Sequence, residues 1–582
     1  MKIYMYKGLS KGIGLLLILC CISFLLPESV IGQRRKKDKN VAKLGQNSLE
    51  SEAVFIDAMG FYLLEDYKKA LELFQKCDEM NWSAAATKYQ IAMCYANLSN
   101  FESALAYSQK AVQLNPENKY YYLLLADVLK QRGDFLSASE VYAKAASKFQ
   151  DGQELFYELA DCYINIQQYQ KAIAVYQDME EKFGIDELLI KQKQRLYIGL
   201  DDLDAALMEG QKLIDAYPSI GEFKLAQIEL YLRNKQTDKA KELIDIYLAE
   251  HADDGRARYL LAKIHRSRGE EKEYFEALKL SFQSSDLIES EKEAVLTSYL
   301  KTSYNEEQKE MGKELAQIAV ETHPESGNLR AILGDFLLTD ELYRDARTQY
   351  IESVANAPDN FKVWQQIIQI DWELNEVDSV IYHSEEAIEI FPNQVIFHFH
   401  NGSANNMNKN YDEAAESLEY AKVLAVDPQL QLQINSQLGD IYNFQKEYQK
   451  SDKAYEEALK YDPYNAYVLN NYSYFLSLRK ERLDKAEEMS SRLVELEPEN
   501  PTYLDTYGWV LYAKGKYEEA LKVLEKVAPG SDNAEVVEHY GDVLYRVGRK
   551  DDALKQWKIA LSLEGEHGDS LKKKIEEKKL IE

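Results

Sequence analysis

The chain has 582 residues, with 98 Asp and Glu against 70 Lys and Arg, giving a net charge of −28. A surface this acidic repels phosphate backbones and anionic lipid, so nucleic-acid binders and charge-driven membrane binders are excluded. Three cysteines remain outside the first 32 residues (Cys77, Cys94 and Cys162), an odd number and no disulfide framework.

Residues 1–32 read as a secretory signal peptide. Lys2, Lys7 and Lys11 form a basic start, and an apolar run from Ile13 to Leu26 follows, ended by Pro27. That run is too short to span a bilayer comfortably. Val30 and Gly32 are small enough to sit at −3 and −1 of a cleavage site, so a mature start at Gln33 is expected. Leu19 before Cys20, and Cys20 before Cys21, do not make a lipidation site. The expected location is the periplasm, or the periplasmic face of the outer membrane, of a bacterial cell envelope. The basic run "QRRKKDK" just after the signal sits awkwardly with export. Residues 33–50 read as a polar, flexible lead-in.

From residue 51 a 34-residue period begins. The segments 51–84, 85–118, 119–152, 153–186, 187–220 and 221–254 follow one another without a gap. Position 20 is Ala in eleven repeats, among them Ala70, Ala138, Ala240, Ala346 and Ala520. Position 8 is small in ten, from Ala58 to Gly541, and seven of eleven prolines stand at position 32. Small residues at fixed positions let two helices of a hairpin approach, and Pro ends the second helix. Residues 255–292 form a 38-residue repeat with Tyr274 where the small residue belongs. Two readings stand there: a kink between two solenoids, or a degenerate repeat in one continuous array. In 293–326 Gly312 replaces the Ala, and 395–431 has 37 residues. The resulting organisation is an N-terminal array over 51–254, the irregular repeat 255–292, and a C-terminal array over 293–567. The tail 568–582 places Leu571, Ile575 and Leu580–Ile581 on an amphipathic helix, suited to cap the last apolar surface.

This skeleton resembles the tetratricopeptide repeat. The clearest match is "YGWVLYAKGKYEEALKVLEKV", with Tyr507, Gly508, Leu511, Gly515, Tyr517, Ala520 and Leu524 in family positions. The next repeat follows as "YGDVLYRVGRKDDALKQWKIAL". The resemblance covers roughly residues 51–567 and implies an all-α fold, a right-handed superhelix (an α-solenoid) of about 15 helix-turn-helix repeats. It also implies that positions 2, 5, 9 and 12 of the first helix line a concave groove. On that face stand Asp127, Asp161, Glu229, Asp335, Asp440 and Asp542, with the aromatics Tyr120, Tyr157, Trp509, Tyr512 and Tyr545. These residues are the expected protein-binding set, exposed to solvent and suited to basic or mixed polypeptide segments. The family's carboxylate clamp needs Lys at 5 with Asn at 9, and no repeat has that pair.

There is no GxxxxGK[ST], HExxH, CxxC or GxSxG, and His398 and His400 point different ways on one helix. No catalysis, cofactor or metal is therefore expected. The expected function is an exported scaffold that mediates protein–protein interactions in the cell envelope. A periplasmic polypeptide-binding chaperone or secretion factor is the alternative.

Overall fold

The computed structural model of the protein describes residues 39–80, 84–149, 152–301, 305–563 and 569–581, with side chains from Glu50 onward. The signal-peptide reading of 1–32 falls outside these residues. Among the described residues there are 31 α-helices and no strand. They run in pairs at the expected period: Lys119–Gln131 with Phe135–Lys148, then Gln153–Asn165 with Tyr169–Phe183. In each pair we name the first helix A and the second B. The first A helix begins at Lys39, so the lead-in expected over 33–50 is helical in its second half.

One backbone turn joins A to B in repeat after repeat of the described residues. Position 15 takes the left-handed conformation, and the N–H at position 16 reaches back to the carbonyl at position 11. Asp66 bonds Phe61, Asn100 bonds Tyr95 and Asp134 bonds Leu129 at 3.0, 2.8 and 3.0 Å. Where position 16 is Asp66, Asn100 or Asp134, the same residue also caps helix B, its side-chain oxygen accepting from the Lys69, Ser103 and Ser137 N–H groups in turn. A Schellman-type ending is thus followed at once by an N-cap. Gly133, Gly515 and Gly548 meet the left-handed demand without a Cβ, with φ of 80°, 77° and 88°. Glu341, Asn375 and Lys409 accept it at 59°, 54° and 63°, a strain of order 1–2 kcal/mol each.

The core is the seam between A and B. All eleven position-20 alanines are fully buried. Position 8 faces position 24 of the same repeat, and the sizes are matched. A Cβ on Gly334, Gly439 or Gly541 would lie 2.7, 2.5 or 2.6 Å from the rings of Tyr350, Tyr455 and Trp557. Gly312 has a similar cause: its Cβ would meet Phe336 at 2.5 Å and Tyr299 at 2.8 Å. Cys77, Cys94 and Cys162 are free and buried. No helix of the described residues is long and apolar enough to cross a membrane.

The chain divides after His251 into two compact bodies. The N-terminal body ends with helix Thr237–Glu250, and the C-terminal body starts with helix Gly255–Arg268. The extra residues of the 255–292 repeat fold into a turn after helix Glu271–Phe282. Lys292 is fully buried beneath that turn and donates to the carbonyls of Phe282 and Ser284 at 2.7 and 3.1 Å. Its ammonium closes the C-terminal end of the helix, where a positive charge complements the exposed carbonyls. Burial pulls its pKa down to about 8. At the other end, helix Asp569–Glu577 buries Leu571 against the last hairpin.

Candidate functional site

Positions 9 and 24 lie 15 residues apart and meet across the A–B seam. Tyr142 Oη donates to Asp127 and Tyr350 Oη to Asp335, each at 2.6 Å. Trp557 Nε1 donates to Asp542 at 2.8 Å, and Tyr455 donates to Asp440. Asp440 also accepts from Tyr467 and Asn471 of the following repeat. These four carboxylates were expected on an exposed groove; the structure corrects that for Asp440 and Asp542, which are buried, while Asp127 and Asp335 are half-buried. Asp440 and Asp542 are about 95% buried, and all four serve their own hairpins. In these four repeats a buried phenol or indole at position 24 needs an acceptor, and position 9 supplies it; in the repeat 153–186 Asp161 takes Lys130 instead, although position 24 is the buried Tyr176. Burial raises the pKa of each, against the opposing hydrogen bond; Asp127 is pushed up to about 6.

The other two acids of the predicted set differ. The position-24 partner of Glu229 is Ile244, which has no donor; Glu229 pairs with Arg233 at 2.9 Å. Asp161 takes the Lys130 ammonium at 2.9 Å and the Asn165 amide at 3.1 Å. Both acids keep solvent exposure and both already hold a cation.

Among the aromatics, Tyr120 is the most open, with Lys119 Nζ 5.6 Å from its ring centroid. Tyr157 meets Tyr176 edge-on at 6.0 Å. Tyr545 stacks on Trp557 at 5.7 Å. Trp509 stacks with Tyr512 at 4.5 Å and with His539 at 3.9 Å. Tyr512 is buried and accepts from Arg546 at 3.4 Å. Asp335 and Asp440 belong to other repeats of the C-terminal body, and Glu229 belongs to the N-terminal body.

The last repeats therefore gather Trp509, Tyr512, Asp542 and Tyr545 with six residues outside the predicted set. His539 Nδ1 lies 3.1 and 3.2 Å from the two Asp505 oxygens. Tyr474 donates to Glu535, two repeats further on. Lys574 of the terminal helix is buried between Glu538 at 2.7 Å and Asp542 at 2.6 Å. Asp505 and Glu535 do occupy positions 5 and 2 of their repeats, and that register was the available signal. Glu306, Glu310 and Asp340 bring carboxylate oxygens within 4.8 Å of one another, but Lys309 and Lys313 hold Asp340 at 2.7 and 2.5 Å.

Family models agree with this geometry. Two models described as tetratricopeptide repeat match residues 225–278 and 432–465. The chain carries tetratricopeptide repeats. A further model, described as anaphase-promoting complex, cyclosome, subunit 3, matches 97–179 and 479–557. Among curated proteins, the chain is 24% identical over 182 residues to TPR repeat-containing protein MJ1428 of Methanocaldococcus jannaschii, covering 31% of this chain and 32% of that one. It is 28% identical over 115 residues to BBSome complex member BBS4 of Bos taurus, covering 20% and 22%. It is 33% identical over 75 residues to TPR repeat-containing protein PA4667 of Pseudomonas aeruginosa, covering 13% of each. These matches span about a third or less of the relatives' own lengths. Among solved structures, Naa15/Naa10 bound to HypK-THB aligns over 91% of this chain and 99% of that one, at 13% identity and a TM-score of 0.36. The Cut9–Hcn1 hetero-tetramer of the APC/C aligns over 88% and 96%, at 15% identity and a TM-score of 0.28. Tetratricopeptide hairpins stack A helix on A helix, and that row of A helices carries the residues described above.

Proposed function

We propose that this chain is a non-catalytic scaffold that holds other proteins, and that it works in a bacterial cell envelope after export. The observation that carries the scaffold reading is the unbroken succession of tetratricopeptide hairpins in both bodies. Stacked hairpins build extended surfaces for polypeptide rather than closed pockets for small substrates. The export reading rests on the basic start, the apolar run 13–26 and the Val30–Gly32 pair. Partner contact is assigned to the side chains that the hairpins leave available, chiefly Tyr120, Tyr157, Asp161, Glu229 and Tyr545. Asp127, Asp335, Asp440 and Asp542 keep a different role, holding the surface in shape.

The test is affinity purification of the tagged full-length protein, after crosslinking in cells, from separated envelope and cytosolic fractions. A scaffold returns one or a few partners in fixed stoichiometry from the envelope fraction. A broad set of unfolded clients at low occupancy would instead support the chaperone reading. Recovery of the protein and all its partners from the cytosol would overturn the envelope assignment.

A further inference from the structure

The His539 cluster has more built into it than packing requires. His539 sits on helix Ala534–Arg546 and is 6% exposed. Its Nδ1 faces the Asp505 carboxylate of helix Pro501–Ala513, itself buried. Its Nε2 lies 3.9 Å from Glu535, one turn earlier on its own helix. Glu535 in turn accepts from Tyr474 on helix Ala466–Arg479, so three consecutive A helices are joined through His539 and Glu535. The imidazole plane stacks on Trp509 at 3.9 Å and 15°. The remaining charged groups are Glu538 and Asp542 on its own helix, both held by Lys574 of helix Asp569–Glu577.

A neutral imidazole has one N–H, while the imidazolium has two. The neutral ring satisfies Asp505 and then turns a lone pair toward Glu535. The imidazolium donates to Asp505, attracts Glu535 and lies as a cation against an indole face. We propose that His539 is a proton-operated fastener of the last repeats: protonated, it locks Glu535 toward Tyr474 and holds Trp509 in its stack, and loss of the proton loosens the row of A helices from 466 to 546. Burial pulls the imidazole pKa down, but Asp505, helped by Glu535 and Asp542, outweighs it and holds the pKa above the ordinary histidine value. A raised pKa fixes the sign. The stabilisation is complete below the unfolded-state value of about 6.5 and is lost as pH rises through the higher folded-state value.

The experiment is a pH titration of tryptophan emission on the full-length protein, with Trp509→Phe subtracted to isolate Trp509 from the other tryptophans. A stacked imidazolium quenches indole emission far more than a neutral ring does. Trp509 emission is expected to rise in one step at a pH above about 6.5. Asp505→Asn, which keeps an acceptor and removes the charge, should move that step down by about one unit or more. His539→Gln should abolish it. Hydrogen exchange corrected for intrinsic rates should show 466–546 losing protection across the same step while 119–183 does not. A step that survives His539→Gln, a midpoint unmoved by Asp505→Asn, or a flat wild-type titration between pH 6 and 9.5 would each overturn the proposal.

Discussion

Position 8 is small because position 24 is large, and this steric pairing fixes what single residues can do. Gly439→Ala would set a methyl 2.5 Å from the Tyr455 ring, and Gly541→Ala one 2.6 Å from Trp557. Each should destabilise its repeat by about 1–3 kcal/mol, read as a lowered denaturation midpoint. Gly60→Ala is the control. It lies in a helix with nothing within 4 Å of the added Cβ and should stabilise by about 0.5–1 kcal/mol. The same seam makes a pH prediction. Burial pushes the Asp127 pKa up to about 6, against the Tyr142 hydrogen bond. A raised carboxylate favours the folded state in acid, and its contribution is lost as pH rises from about 4 through 6. Asp127→Asn keeps the acceptor for Tyr142 and carries no charge. The variant should flatten the stability profile across that window and match or exceed wild type at pH 7. Hydrogen exchange of 119–148 at several pH values would measure it, and a steeper profile in the variant would count against the argument.

At the scale of elements, each helix pair is stable only with its neighbours, and the terminal helix shows this most directly. Lys574 places a buried ammonium between Glu538 and Asp542. Lys574→Met leaves those carboxylates without their cation, at a cost of about 3–5 kcal/mol to the final hairpin. Adding Asp542→Asn should recover most of the loss, because the stranded charge is removed. Ala520 is fully buried where helix Tyr517–Leu524 meets its A helix. Ala520→Leu overpacks that crossing by about 1–3 kcal/mol. In a nearest-neighbour array the damage should stay local. Exchange protection should fall around 501–563 and remain unchanged over 51–251. Uniform loss along the chain would show cooperativity longer in range than stacked repeats allow.

For the whole molecule, the sequence by itself determined the repeat. The 34-residue period, the Ala at position 20 and the Pro at position 32 announced helical hairpins, because close helix approach and helix termination each demand particular residue types. It marked the repeat 255–292 as irregular; the division into two bodies comes earlier, after His251. The N-terminal segment makes one further prediction: intact-mass analysis of the protein purified from its cells should show a chain beginning at Gln33, and peptides from 13–32 in the purified pool would contradict it. Only the tertiary structure decided what the acidic face does. Spacing along a helix says which residues share a side, but not what the neighbouring helix presents to them. Asp127, Asp335, Asp440 and Asp542 share a side with Asp161 and Glu229, yet the first four accept from the Tyr or Trp at position 24, while Asp161 takes Lys130 and Glu229 takes Arg233. His539 and Asp505, 34 residues apart, looked unremarkable in the register; helix stacking set them 3.1 Å from each other. Burial and hydrogen-bond partnership are properties of pairs of helices, and they exist only once the hairpins are stacked.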